Sequence, residues 1–217
     1  MNETDRPELD PQKLQAEARQ VVEQAEDIRE EIHDITLDAL KEGRLDPERI
    51  KQVLDAVLKG ASEGAAQHAE RAKQALDQTT EGLDQALLKT ANASRLAIEE
   101  AAGRLGEFSG QQLKGAFDDL KNMESLFVDA LAKVSSGGRD VSADIFKDLT
   151  FHARNSGTEI GRYVKASVGD MEAHLPSAAR EALKAAAEGA RDTTAQMAGI
   201  ASAILAGIAD SLKKNNK

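Results

Sequence analysis

The sequence of 217 residues has no cysteine and no tryptophan, and it contains one tyrosine, five phenylalanines and four prolines. The absence of cysteine excludes disulfide bonds and thiolate chemistry. So few large aromatic side chains argue against a thick, round hydrophobic core. Apolar residues make up 41% of the chain, many of them alanine, and charged residues make up 30%. This balance is typical of long amphipathic helices and coiled coils.

The formal net charge is -10, and it is unevenly distributed. Residues 1–50 carry 15 acidic and 7 basic side chains. An anionic protein neutralises phosphates only where its cations cluster, and the chain has no long basic run, so nucleic acid is not an expected partner. The first ten residues are acidic and polar, unlike a secretory signal or transit peptide, and we expect a cytoplasmic location.

An 11-residue spacing dominates the first half of the chain. Eleven residues complete three helical turns, so residues at this spacing share one helix face. Three such rows run in register: Leu54, Ala65, Leu76, Leu87 and Ile98; Leu58, Ala69, Thr80, Ala91 and Ala102; Ala61, Ala72, Leu83, Ser94 and Leu105. The rows predict one helix from Pro47 to Ala102, about 80 Å long. They leave open whether its apolar face meets another helix, a second chain or a lipid surface.

Heptad spacing and capping residues predict the other helices. Asp10 and Pro11 begin a heptad helix that should end near Gly43, and Asp46 and Pro47 then begin the long helix. A tight turn between the two helices predicts antiparallel packing. A third helix follows from Leu113 to Val134, a fourth begins around Asp140, and Pro176 restarts the chain as a fifth. No segment alternates with period two, so we predict no strand.

We therefore predict an all-α fold, an elongated bundle or coiled coil of about five helices, with very long helices and mixed 7- and 11-residue periodicity. The predicted domains are a disordered N-terminus (1–10), a long helical hairpin (11–105) and a second helical segment with an apolar C-terminal helix (106–217). The boundary between the last two is soft, and a single domain is the alternative. Whether the second helix continues past Gly103 stays open. Thirteen of the 16 glycines fall inside predicted helices. They indicate either close helix crossings or a bundle of low stability that opens on an apolar surface.

The most unusual stretch runs from Ala195 to Leu212, where only four side chains are clearly polar. One row is bulky, with Ile200, Ile204, Ile208 and Leu212, and another is small, with Gly199, Ala203 and Gly207. Lys213 and Lys214 follow, and their long side chains can reach anionic head groups. Three interpretations are open: a helix buried in a bundle or oligomer, a helix inserted into a lipid surface, or a transmembrane span.

Few residues suggest chemistry. Glu30 and His33 have the spacing used in di-iron helical bundles, but a second such pair is missing, and a solvated charged face explains them better. His152, Tyr163 and His174 form an 11-residue row. The row suggests a relay or pH-sensing site, but the solvent-exposed edge of an apolar stripe explains it better. No glycine-rich phosphate loop or nucleophile motif is present. We expect no enzyme activity, metal, cofactor or small-molecule substrate.

Two segments resemble a known kind of protein: VVEQAEDIREEIHDITLDALKEGRLD, from Val21 to Asp46, and AGIASAILAGIADSL, from Ala198 to Leu212. They resemble a family of uncharacterised bacterial long-helix proteins. That family is broadly similar to phasins, which coat polyhydroxyalkanoate granules, and more loosely to exchangeable apolipoproteins. The resemblance implies binding to a granule or lipid surface, whereas the periodicity itself indicates only the apolar stripe.

The leading hypothesis is a non-enzymatic amphipathic-helix protein, cytoplasmic or peripheral on a granule or membrane, that associates with a lipid or polyester surface. The candidate surface- or partner-binding residues are Leu54, Leu76, Leu87, Ile98, Ile200, Ile204, Leu205, Ile208, Leu212, Lys213 and Lys214. The alternative is a structural scaffold, in which the same stripes are permanently buried in an elongated bundle or homo-oligomer. A third interpretation is a stress-protective chain that becomes helical on drying, but the regular heptads of the first helix favour a folded state.

Overall fold

The structure is a computed structural model that describes residues 9–41, 46–67, 70–104, 107–137 and 141–189. These residues form eight α-helices and no strand, which confirms the all-α prediction for the described part of the chain. The helices are α1 (Pro11–Gln24), α2 (Ile28–Lys41), α3 (Pro47–Ala65), α4 (Ala72–Gly103), α5 (Gly110–Gly137), α6 (Val141–Ser156), α7 (Glu159–His174) and α8 (Ser177–Gly189). The coiled-coil arrangement stays a prediction.

Two helix starts lie where the sequence predicts them. The Asp10 carboxylate accepts hydrogen bonds from the backbone N–H groups of Gln12 and Lys13, at 3.0 and 3.1 Å. Asp46 accepts one from the N–H of Arg49 at 2.8 Å. In both cases a proline follows in the first turn, where its missing N–H costs nothing.

The described residues contain more helices than the predicted five because three predicted helices are each divided in two. The first breaks where Ala25 is extended and the Asp27 carboxylate accepts the N–H of Glu30. The long helix predicted from Pro47 to Ala102 is wrong as one rod, since α3 ends at Ala65 and α4 begins at Ala72. The fourth breaks at Gly157, which has a φ of 72°.

The first four helices form two pairs, with α1 against α3 and α2 against α4. Gly60 lies against Gln15 and Ala18, and one turn later Gly64 lies against Arg19 and Val22. Residue numbers therefore rise together along α1 and α3, which run in the same direction. The antiparallel packing predicted for the first two helices is therefore wrong for α1 and α3.

Glycine permits close helix contact at several of these crossings. A Cβ atom at Gly60 would overlap the backbone carbonyl oxygen of Gln15. At Gly82 it would lie 2.5 Å from the carbonyl oxygen of Arg29, and at Gly110 it would lie 2.7 Å from that of Ala182. By contrast, a Cβ at Gly115 would meet no atom within 4 Å. Close crossing therefore accounts for part of the glycine content, as one of the two sequence explanations expected.

The second half packs around α5, which contacts α3, α4, α6, α7 and α8. One continuous apolar core runs from Leu14 on α1 to Ala179 on α8. This core therefore continues across the domain boundary predicted between residues 105 and 106. The segment predicted to be disordered, residues 1–10, lies largely outside the described residues.

Candidate functional site

The predicted apolar stripe faces the interior of the chain. Leu54 on α3 and Leu76 and Leu87 on α4 are 0% exposed, and Ile98 is 1% exposed. They belong to the same apolar core although a turn separates α3 from α4. In this conformation the four side chains contact other helices of their own chain, so contact with a lipid surface would require the bundle to open.

The remaining predicted surface residues lie outside the described part of the chain. They are Ile200, Ile204, Leu205, Ile208, Leu212, Lys213 and Lys214. Within the described helices, large apolar side chains are exposed at Leu96, Val141 and Phe151, with Phe151 reaching 70%. In the described helices, therefore, the predicted apolar stripe is buried, and the longest apolar sequence of the protein is the C-terminal stretch.

Buried hydroxyl groups accompany the stripe on α4. Thr79, Thr90 and Ser94 are buried, and each donates a hydrogen bond to the carbonyl oxygen four residues earlier, at 2.8, 2.8 and 3.0 Å. Bonds of this kind stay within one helix. These three hydroxyl groups therefore need no hydrogen-bond partner from a neighbouring helix.

The pair Glu30 and His33 lies on α2, and His33 is buried. Its Nδ1 atom lies 2.8 Å from a carboxylate oxygen of Asp34, whereas its Nε2 atom is buried without a hydrogen-bond partner. The hydroxyl group of Thr36, nearly one turn along α2, is buried in the same way. No group of three or more potential metal ligands is assembled among the described residues.

Replacing Thr36 by valine should raise the free energy of unfolding by about 1 kcal/mol, because valine has the same shape and removes an unpaired buried hydroxyl group. Thr79→Val is the matched control: both threonines are 0% exposed, but the Thr79 hydroxyl is bonded. Urea unfolding of both variants measures the difference. The account is contradicted if Thr36→Val destabilises the protein as much as Thr79→Val.

A polar junction fixes the N-terminus of α7. The carboxylate of Asp84, on α4, accepts hydrogen bonds from the backbone N–H groups of Glu159 and Ile160, at 2.8 and 2.9 Å. Burial raises the pKa of Asp84, and these two hydrogen bonds oppose the increase. The Thr158 hydroxyl donates to Glu124 of α5 at 3.1 Å and accepts the N–H of Gly161 at 2.9 Å. Two carboxylates thus lie at the positive end of a helix dipole, which stabilises them.

Tyr163 belongs to α7 and contacts α4. Its hydroxyl group donates to the side-chain oxygen of Asn92 at 2.8 Å and accepts from the Nε atom of Arg95 at 3.2 Å. His152 and His174, the other members of the predicted row, are exposed, and His174 is bonded to Asp170 of its own helix. The row is therefore no assembled relay: Tyr163 is a contact between helices and the histidines face solvent.

Two cavities of the described fold are either small or open. A partly enclosed space near Val22, Ile28 and Ala72 has a volume of about 10 Å³, which is about the smallest that holds one water molecule. An open groove of about 270 Å³ lies between α1 and α2, with Val21 and Ile35 among its lining residues and Glu17 and Glu31 beside them. No described helix is both long enough and apolar enough to cross a membrane.

These features describe a helical bundle with structural polar contacts. A model described as a family of unknown function, DUF6781, matches residues 4–214. The chain belongs to this family. No curated protein and no solved structure matches the chain. The match spans nearly the whole sequence, including the stretch from Ala195 to Leu212.

Sequence reasoning missed the junction at α7. Asp84, Glu124 and Thr158 lie far apart in the sequence, and only the fold brings them together. One local signal was available. Gly157 followed by Thr158 is the pattern of a helix end followed by an N-cap, and it predicts the start of α7.

Proposed function

We propose that this protein is a non-enzymatic helical protein that associates with a lipid or polyhydroxyalkanoate-type surface through its C-terminal sequence. The observation that carries the proposal is a contrast between two apolar stripes. The bulky residues of the α3 and α4 stripe are buried against their own chain. Ala195 to Leu212, by contrast, is an 18-residue sequence with four polar side chains, and two lysines follow it. Apolar rows flanked by cations suit the boundary of an anionic surface.

Under this proposal the bundle is the body of the protein and the C-terminal sequence is its contact with the surface. Ile200, Ile204 and Ile208 would insert their side chains at the boundary, with Lys213 and Lys214 at the head groups. The proposed location is cytoplasmic, at the periphery of a granule or membrane. The resemblance to phasins supports the choice of a polyester or lipid surface.

Replacing Ile204 and Ile208 by aspartate tests this role. Each buried isoleucine contributes roughly 1.5–3 kcal/mol of transfer free energy, so the double variant should bind vesicles at least about tenfold more weakly than the wild type. The matched control is Asn122→Asp with Asn155→Asp, which adds the same two charges at exposed positions of α5 and α6. Co-sedimentation with vesicles of phosphatidylcholine and phosphatidylglycerol measures binding. Equal binding by both double variants would contradict the proposal.

A second candidate function is a structural scaffold, which the burial of Leu54, Leu76, Leu87 and Ile98 favours. In this case the C-terminal stretch would pack against another helix, in the same chain or in a homo-oligomer. Light scattering and circular dichroism together distinguish the two functions. A scaffold keeps a fixed mass and helicity when vesicles are added, whereas a surface-binding protein moves to the vesicles.

A further inference from the structure

The groove between α1 and α2 has apolar residues in its lining. The two helices pack against different neighbours, α1 against α3 and α2 against α4, and the extended residue Ala25 follows α1. The groove has a volume of about 270 Å³ and is open to solvent, and Val21, Ala25 and Ile35 line it. Val21 is 8% exposed, and the other two are partly buried against the apolar core. The groove therefore offers apolar surface that is continuous with the core.

The charged side chains of this groove all have one sign. Glu17 belongs to α1 and Glu31 to α2, so each helix contributes one carboxylate. Gln20 and Gln24 add neutral amide groups, and none of the described residues that line the groove is cationic. Lys13 lies 3.7 Å from Glu17, but both side chains are exposed, so this pair contributes little. The groove therefore attracts cations and repels anionic groups.

The shape of the groove suits a helix better than a small molecule. On α1 its lining residues are spaced by three and four, from Glu17 to Gln24, so they form one face of about two turns. On α2, Glu31 and Ile35 are one turn apart. Small-molecule sites are typically enclosed and larger, at roughly 300–1,000 Å³. A shallow apolar groove between two helices is instead the kind of surface on which an amphipathic helix lays its apolar face.

We propose that the groove between α1 and α2 binds a cationic amphipathic helix of a partner protein. A bulky apolar side chain of the partner packs against Val21 and Ile35, and lysine or arginine side chains of the same helix pair with Glu17 and Glu31. Residues 9–41 carry nine acidic and four basic side chains, a balance that speeds encounter with a cationic partner. This role does not depend on the proposed function, because the carboxylates of the groove repel an anionic lipid surface.

A peptide that carries tryptophan tests the groove directly. The chain has no tryptophan, so the fluorescence of one tryptophan in the peptide reports binding without background from the protein. The probe is a synthetic amphipathic helix of leucine and lysine with a single tryptophan on its apolar face. We expect it to bind the full chain at least about tenfold more tightly than the same peptide with glutamate for lysine or alanine for leucine. Failure of the leucine–lysine peptide to bind, or equal binding by either altered peptide, overturns the proposal.

Paired variants locate the binding site of the peptide. Glu17→Gln with Glu31→Gln removes both carboxylates of the groove, whereas Glu181→Gln with Glu188→Gln removes two charges at exposed positions of α8. Both double variants have the same net charge, so a difference between them is local. Loss of two exposed ion pairs should weaken peptide binding roughly fivefold in the groove variant, and the α8 variant should bind nearly as the wild type does. Equal affinity of the two double variants overturns the groove as the binding site.

A second copy of this chain is the competing occupant of the groove. We expect light scattering to give the same mass for the wild type and for the groove variant. If the wild type instead has twice the mass of one chain and the groove variant has the mass of one chain, the groove holds a second copy. That result overturns the assignment to a cationic partner.

Discussion

Replacing Gly60 by alanine is expected to lower the free energy of unfolding by about 3 kcal/mol, the upper end of the usual cost of overpacking. The added methyl group would overlap the backbone carbonyl oxygen of Gln15, and it would lie 3.0 Å from the Cβ of Ala18. A backbone oxygen cannot rotate away as a flexible side chain can. Helix α1 must therefore move away from α3, and neighbouring core contacts, including those of Ala18, would loosen.

Gly115→Ala is the control for this experiment. Position 115 is inside α5, and the methyl group would meet no atom within 4 Å. Alanine favours helix over glycine by roughly 0.5–1 kcal/mol, so this variant should be slightly more stable than the wild type. Urea unfolding followed by circular dichroism compares the two variants. Equal stability of Gly60→Ala and Gly115→Ala would show that α1 and α3 do not pack as closely as the structure has them.

Replacing Leu87 by alanine is expected to cost about 3 kcal/mol. Leu87 is 0% exposed and belongs to the apolar core, so the change removes buried methyl groups and leaves a cavity behind them. Leu96→Ala, on the same helix, is the matched control because Leu96 is 45% exposed. Its cost should remain below about 1 kcal/mol.

The comparison of Leu87 with Leu96 tests whether the 11-residue row faces protein. If the row instead faced solvent in the free protein, Leu87→Ala and Leu96→Ala would lower the thermal midpoint by similar small amounts. A large loss at Leu87 alone would confirm that the row is buried in the isolated chain.

The sequence predicted helix content and helix starts better than helix breaks. The heptads from Leu113 to Val134 lie within α5, and Asp10 and Asp46 cap helices as expected. These signals are local, since an N-cap and a periodic apolar face depend on residues within a few turns. Local signals also existed for two of the missed breaks, at Asp27 with Glu30 and at Gly157 with Thr158.

The break between α3 and α4 could not be predicted in this way. Leu54 and Leu76 keep their 11-residue spacing across the turn because each helix separately directs its stripe to the same core. Periodicity reports which face is apolar and does not report a change of direction. The segment from residue 66 to 71 contains neither proline nor glycine, although Gly60, Ser62 and Gly64 weaken the end of α3.

For the candidate site, too, local features could be predicted from the sequence and long-range contacts could not. The apolar rows were visible in the sequence, but their burial in one chain depends on how eight helices pack. The contacts of Asp84 with α7 and of Gly110 with α8 join residues 70 or more positions apart, so no local sequence pattern predicts them. The role of Ile200 to Lys214 in surface binding stays a prediction.

Hydrogen exchange of the full chain, measured by mass spectrometry with and without phosphatidylcholine and phosphatidylglycerol vesicles, tests the central claim most directly. It reports separately on the buried stripe at residues 76–98 and on the C-terminal stretch at 195–212. The proposed function predicts that vesicles slow exchange at 195–212, while residues 76–98 stay protected in both conditions. Unchanged exchange at 195–212 in the presence of vesicles would contradict it.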